Sequence, residues 1–178
     1  MSGKTKLICH HPLSNEDITR IVPNCRFVPY EQLHQYTTLD QLLPTPNSKV
    51  VILYQLAKVG HWICLFYNHQ GCQLQCFDSL GYKPDDELKD VDPQFLHSKH
   101  QDRPYLTYLL AQSRVPVNYS PYKLQKHHTS TCGMWAVCRM LYDQLGCDEF
   151  ASCFRGIKDK DLAIAKLYEI FRKKLSVR

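Results

Sequence analysis

Residues 48–56, "SKVVILYQL", are apolar and β-branched along their length, which predicts a strand buried on both faces. Two more apolar runs follow, "HWICLFYN" at 61–68 and "CQLQCFDSL" at 72–80, separated by the turn sequence "HQG". Two such runs across a glycine-containing turn predict a β-hairpin. Within the second run Leu74, Cys76 and Asp78 alternate with Gln73, Gln75 and Phe77.

Helical patterns lie on either side of this block. "PLSNEDITRIVP" carries a capping box, Ser14 with Asp17 three residues on, and Pro23 ends that helix. "PYEQLHQYTTLDQLLP" predicts one or two helical turns between Pro29 and Pro44. Residues 83–103 are acidic and then polar, so an exposed stretch with a short helix is expected. "PYLTYLLAQSR" predicts a helix, and "VPVNYSPYKL" a strand and a loop. From Gly133 to Leu145 the apolar residues Met134, Cys138, Leu141 and Leu145 fall at helical spacing, with Gly146 as the expected stop. "DKDLAIAKLYEIFRKKL" predicts an amphipathic helix with Leu162, Ala165, Tyr168 or Ile170, and Leu175 inward. Helices at both ends and strands between them give an α+β class with a mostly antiparallel or mixed sheet.

The 178 residues suit a single domain over 1–178. Hydrophobic residues make up 44% and charged residues 22%, a globular balance that argues against disorder. No apolar run matches a signal peptide or the roughly 20 residues of a membrane span. The expectation is a soluble intracellular protein with no membrane association. The net charge of +5 leaves weak DNA binding open, but much of it lies in "FRKKLSVR", which also reads as a solvated helix end favoured by the helix dipole.

Nine cysteines, at 9, 25, 64, 72, 76, 132, 138, 147 and 153, are an odd number without a secretion signal. They read as reduced thiols, mostly packed in the core, rather than as a disulfide framework. Cys72-x3-Cys76 and the Cys9-His10-His11 cluster are the best metal candidates. Neither has the paired CxxC spacing of a zinc site, so no metal and no cofactor are expected.

One cysteine stands apart. In "HHTSTCGMWAVCRML" Cys132 follows Ser130 and Thr131, either of which can cap the helix that begins there. The free N–H groups and the dipole of a helix start stabilise an anion, and they lower a thiol pKa from about 8.5. Gly133 would let a substrate backbone come close. The competing reading is a structural cysteine starting a buried helix. A nucleophile needs a base. His10, His11, His34, His97, His100, His127 and His128 lie in polar stretches and His69 in the hairpin turn, where solvated surface is the default. His61, between Gly60 and Trp62 at the entry to a strand, is either a satisfied core residue or a positioned base. A turn around residues 68 to 72 would set Asp78 opposite His61, where the two side chains can touch; the competing reading of Asp78 is a turn residue. Gln125, seven residues before Cys132, could donate to an oxyanion together with the Cys132 N–H.

The order "GHW", "FDSLG", and a Gln seven residues before "CG" and an apolar helix resembles the adenain and SUMO-protease group of cysteine proteases. "LSNEDI" is similar to the opening helix of the SUMO-protease branch. The chain length and the His–Asp spacing are closer to adenain and its relatives in virophages and other DNA viruses. The resemblance covers roughly residues 13 to 145. It implies a circularly rearranged papain-like fold, with a central mixed sheet packed between helices. It implies a peptidase that cleaves after small residues, at Gly-Gly or Gly-X sites. Cys132 would be the nucleophile, His61 the base and later the acid, Asp78 the orienting carboxylate and Gln125 the oxyanion donor. Trp62 would wall a narrow substrate tunnel, or simply pack in the core. The disulfide-linked peptide activation of adenain does not carry over, because no cysteine lies between Cys76 and Cys132.

The expected partner is a protein substrate, processed by a monomer in a virion or in the host cytoplasm or nucleus. Viral capsid or other structural precursors come first, and SUMO- or ubiquitin-like conjugates are the alternative. Acyl transfer of the bacterial effector type would need an acetyl-coenzyme A site, and no separate phosphate-binding feature is present.

Overall fold

The computed structural model describes residues 11–56, 60–68 and 72–175. Five strands form one sheet in chain order: β1 (Cys25–Pro29), β2 (Lys49–Gln55), β3 (Gly60–Tyr67), β4 (Leu74–Phe77) and β5 (Val117–Tyr119). The central pairs β2–β3 and β3–β4 are antiparallel, and the outer pairs β1–β2 and β4–β5 are parallel. The sheet is therefore mixed.

The absence of a polar face in residues 49–55 has its cause in the layers. Val51 packs on one side with Trp62, Cys64, Phe66 and Phe77. Val50, Ile52 and Tyr54 pack on the other with Ile63, Leu65, Leu74 and Cys76. The first face is covered by helices α1 (Asn15–Ile21), α5 (Cys132–Leu141), α6 (Cys147–Ser152) and α7 (Lys160–Leu175). The second is covered by a 3₁₀ turn (Tyr30–Gln35), α2 (Leu39–Leu42), a second 3₁₀ turn (Asp86–Asp90), α3 (Pro93–Ser98) and α4 (Tyr105–Leu110). Burying both faces of a sheet is what lets its strands lose the period-2 polar alternation.

The local signals account for most boundaries. Ser14 and Asp17 form the capping box of α1. In α7 Ile164, Ala165 and Tyr168 face inward, whereas Ile170 is 51% exposed. Tyr168, not Ile170, is thus the inward residue.

Three expectations are corrected. Gly146 does not stop the helix that begins at Cys132, which ends at Leu141; it is the N-cap of α6, a helix with no strong sequence signature. Residues 83–103 are not simply exposed: Asp85, Glu87, Leu88, Leu96 and Gln101 are buried. Asp85 accepts from Tyr30 Oη at 2.6 Å, Tyr54 Oη at 3.2 Å and the Thr107 N–H at 2.7 Å, which draws this acidic stretch onto the sheet. The hairpin register also differs. Cys64 pairs with Phe77 and Tyr67 with Leu74, and continuing that ladder puts Leu80, not Asp78, opposite His61. Beyond the ladder the Asn68 N–H donates to Gln73 O at 2.9 Å.

Candidate active site

Helix α5 begins at the proposed nucleophile and every residue from Cys132 to Met140 is buried. An all-buried helix against a sheet fixes its first turn in space. Thr131 is its N-cap residue, but its hydroxyl does not cap. It donates instead to Asp161 Oδ1 on α7. Asp161 also accepts from Trp135 Nε1 at 3.1 Å and from the Lys126 N–H at 3.0 Å. One buried carboxylate thus ties the loop before Cys132, the residue beside it and the helix after it. Its place in an amphipathic repeat gave no hint of this.

His61 is the first inward residue of β3 and is buried. Its Nε2 lies 3.1 Å from Asp78 Oδ1, and the imidazole and the Cys132 side chain line the same cavity. The pair His61–Asp78 is a diagonal neighbour rather than a direct cross-strand pair, and side chains still reach across such a diagonal. Asp78 lies just past the end of β4, and its Oδ1 also accepts the Leu80 N–H at 2.6 Å. Both sequence readings of Asp78 therefore hold: it is an Asx-type turn residue and it faces the imidazole. Gly81, at φ +80°, completes this turn in the left-handed region where a Cβ would press on Pro121, Tyr122 and Lys123 backbone atoms at 3.0 Å.

Gln125 is buried close by. Its Oε1 accepts from Ser79 Oγ at 2.6 Å, and its Nε2 donates to Thr129 O at 2.9 Å. Ser79 O in turn accepts the N–H groups of Leu124 and Gln125, both at 2.9 Å. The "DSL" segment that carries Asp78 is thereby bolted to the loop that carries Gln125. One amide hydrogen of Nε2 is used by Thr129, which leaves the second for a ligand.

Trp62 is buried, donates from Nε1 to Leu13 O at 3.1 Å and meets Phe27 edge to face at 5.6 Å. Gly133 faces Leu13 and Trp62: a Cβ there would lie 3.1 Å from Leu13 Cβ and 3.3 Å from Trp62 Cδ1. The close approach that this glycine permits is thus that of Leu13, just ahead of the α1 N-cap Ser14, and of Trp62. His61, Trp62, Gln125 and Cys132 all line one cavity of about 490 Å³, with Leu56, Leu80 and the loop 126–130 around its rim. His127 and His128 belong to that rim, where the sequence suggested plain surface.

The residue that sequence reasoning missed is Glu87. It comes from the 3₁₀ turn Asp86–Asp90, and its Oε1 lies 3.2 Å from the same His61 Nε2. Burial opposes charging His61, yet the charge and hydrogen bond of Asp78, the Cys132 contact and the charge of Glu87 together raise its pKa well above the ordinary value. Burial first, and then the neighbouring Asp78, push Glu87 up to about 8, while the charge of His61 works against this. His61, Asp78 and Glu87 bring three ligand atoms within 4.8 Å of one another. The metal candidates read from the sequence do not form such a group among the described residues: Cys72 is exposed, Cys76 is buried in β4, and Cys9 and His10 lie outside the described residues. No described helix is long and apolar enough to cross a membrane.

No family model matches the sequence. The uncharacterized protein V9 of Sputnik virophage is 35% identical over 142 residues, which span 78% of this chain and 80% of V9. The chain belongs to the V9 family. Among solved structures, the effector protein ChlaDUB1 of Chlamydia trachomatis aligns with 97% of this chain and 88% of that one, at a TM-score of 0.57 and 12% identity. The SUMO protease Ulp1 aligns with 96% of this chain and 82% of that one, at a TM-score of 0.42 and 14% identity. The fold of this V9-family chain is the α+β fold expected from the sequence, with a mixed sheet packed between helices in the circularly rearranged papain-like arrangement. At such low identities the likeness to solved structures speaks for the fold alone.

Proposed function

We propose that this protein is a cysteine endopeptidase that cleaves after small residues, at Gly-Gly or Gly-X sites, and processes capsid or other structural precursors of a virus. The observation that carries the reading is the placement of His61. Its Nε2 faces the Asp78 carboxylate at 3.1 Å, and it shares the wall of one cavity with Cys132 and Gln125. A buried imidazole with a thiol on one side and a carboxylate on the other is the arrangement that nucleophilic acyl chemistry needs.

His61 takes the Cys132 proton as sulfur attacks the scissile carbonyl carbon. The oxyanion is met by the Cys132 N–H at the start of α5 and by the free amide hydrogen of Gln125. Collapse of the tetrahedral adduct breaks the C–N bond, and His61 gives its proton to the leaving amine. Water, deprotonated by His61, then hydrolyses the thioester. Asp78 keeps the imidazole turned toward sulfur throughout. Trp62 narrows the cavity beside the base and so favours glycine-like residues. The protein works as a single-domain monomer without a cofactor, in the virion or in the host cytoplasm or nucleus. The virophage relative supports the viral setting. The net charge of +5, with Lys126, His127 and His128 at the cavity rim, supports weak contact with DNA.

The test is a panel of Gly-Gly-X peptides set beside a capsid precursor peptide and a diglycine-linked ubiquitin or SUMO conjugate. Cleavage of the precursor and the Gly-Gly-X peptides is expected. Hydrolysis confined to the conjugates would make it a deconjugating protease instead, and no cleavage of any of them would end the reading.

A further inference from the structure

We propose that Glu87 is a proton-bearing carboxylic acid that holds Asp78 beneath His61, so that the imidazole is positioned by two carboxyl groups with one proton between them. This deepens the proposed function and rests on it for its catalytic consequence, though not for its structural content.

Three observations lead here. The Glu87 side chain is only 4% exposed and its Oε1 is 3.2 Å from His61 Nε2. Neither of its oxygens has a hydrogen-bond donor in the structure. The single N–H of Nε2 is already directed to Asp78 Oδ1 at 3.1 Å. A buried carboxylate with no donor is costly, and two buried carboxylates against one imidazole leave an uncompensated negative charge even when the imidazole is protonated. A proton on Glu87 removes both problems, since the acid can then donate to Asp78, whose carboxyl lies within 4.8 Å of its own. The groups facing Glu87 are His61 from β3, Asp78 after β4, Tyr54 from β2 and Cys132 from α5. None of them is a fixed cation that would hold the carboxyl ionised. The turn that presents Glu87 is anchored by the hydrogen bonds to Asp85, two residues before it.

The arrangement makes Glu87 a positioning residue held in reserve. When Asp78 is replaced by asparagine, Glu87 can ionise and take over the partnership with Nε2. The test combines one readout that needs no turnover with one that does. Infrared spectra at pH 6 should show a protonated carboxylic acid band that disappears in Glu87→Gln, an isosteric change that keeps the neutral donor. In turnover assays Asp78→Asn should fall, and Asp78→Asn/Glu87→Gln should fall at least about tenfold below Asp78→Asn. Absence of the band, or a double variant no worse than Asp78→Asn, would overturn the proposal. So would a divalent ion that co-purifies with the parent and is lost in Glu87→Gln, because a cation would then stand where the proton is placed. If the parent cleaves nothing, the peptidase reading fails while the infrared band still decides the state of Glu87.

Discussion

Ser79 grips Gln125 at both ends: its hydroxyl donates to Gln125 Oε1 at 2.6 Å and its carbonyl accepts the Gln125 N–H at 2.9 Å. This fixes which way the amide of Gln125 points. With Oε1 occupied, Nε2 must face the Thr129 carbonyl and the cavity.

Gln125→Ala should therefore lower kcat by about 10²–10³-fold with little change in KM, since the lost donor serves the transition state. Ser79→Ala keeps the amide but frees its orientation, and a milder loss of about tenfold is expected. Steady-state kinetics on a Gly-Gly-X peptide separates the two. Equal KM effects in both variants would contradict a role confined to the oxyanion.

Cys132→Ala and His61→Ala should each abolish cleavage. The cysteine change removes a single sulfur from a packed helix start, so its circular dichroism spectrum and melting curve should stay close to the parent's. Turnover at the parent rate in either variant would refute the assignment.

Asp161 carries a different burden. Asp161→Ala would leave the Thr131 hydroxyl, the Trp135 indole N–H and the Lys126 N–H without their acceptor. Of these, Thr131 and Trp135 are buried, and each buried group left without an acceptor costs about 1–3 kcal/mol. A fall in Tm of several degrees is expected, with loss of activity through displacement of the Cys132 loop. Asp161→Asn should recover part of the stability, because one oxygen remains.

Stability should decline as pH rises across the neutral range. The Glu87 carboxyl goes from an ordinary 4.5 in the unfolded chain to about 8 when folded. A raised pKa contributes stability that is fully present below the unfolded value and is lost as pH rises through the folded one. His61, also raised, acts in the same direction above its ordinary 6.5. Melting temperatures should thus fall from pH 5 to pH 9, and Glu87→Gln should flatten the slope below pH 8. A Tm that climbs over this range would count against the buried acid.

The strands and the helix at Cys132 were legible because their signals are local. A run such as residues 49–55 states its burial in its own composition, and the Ser14–Asp17 capping box states its helix start. His61, Asp78, Gln125 and Cys132 stood out through their order and through the unusual places they occupy, a strand entry, a strand exit and a helix start. The hairpin register differs by two residues from the expected one, because apolar strand composition does not fix where the ladder begins; Tyr67 pairs with Leu74. Gly146 was misjudged because a glycine between two helices can end one or begin the next.

The backbone pattern and the apolar strands were thus written in the chain itself, since hydrophobic periodicity and capping act over a few residues. The second carboxyl on His61, the Ser79–Gln125 clasp and the Asp161 anchor were decided only by folding. Each joins residues 26 to 46 positions apart in the chain, and a buried polar contact of that kind exists only once the layers have closed and excluded water from both partners.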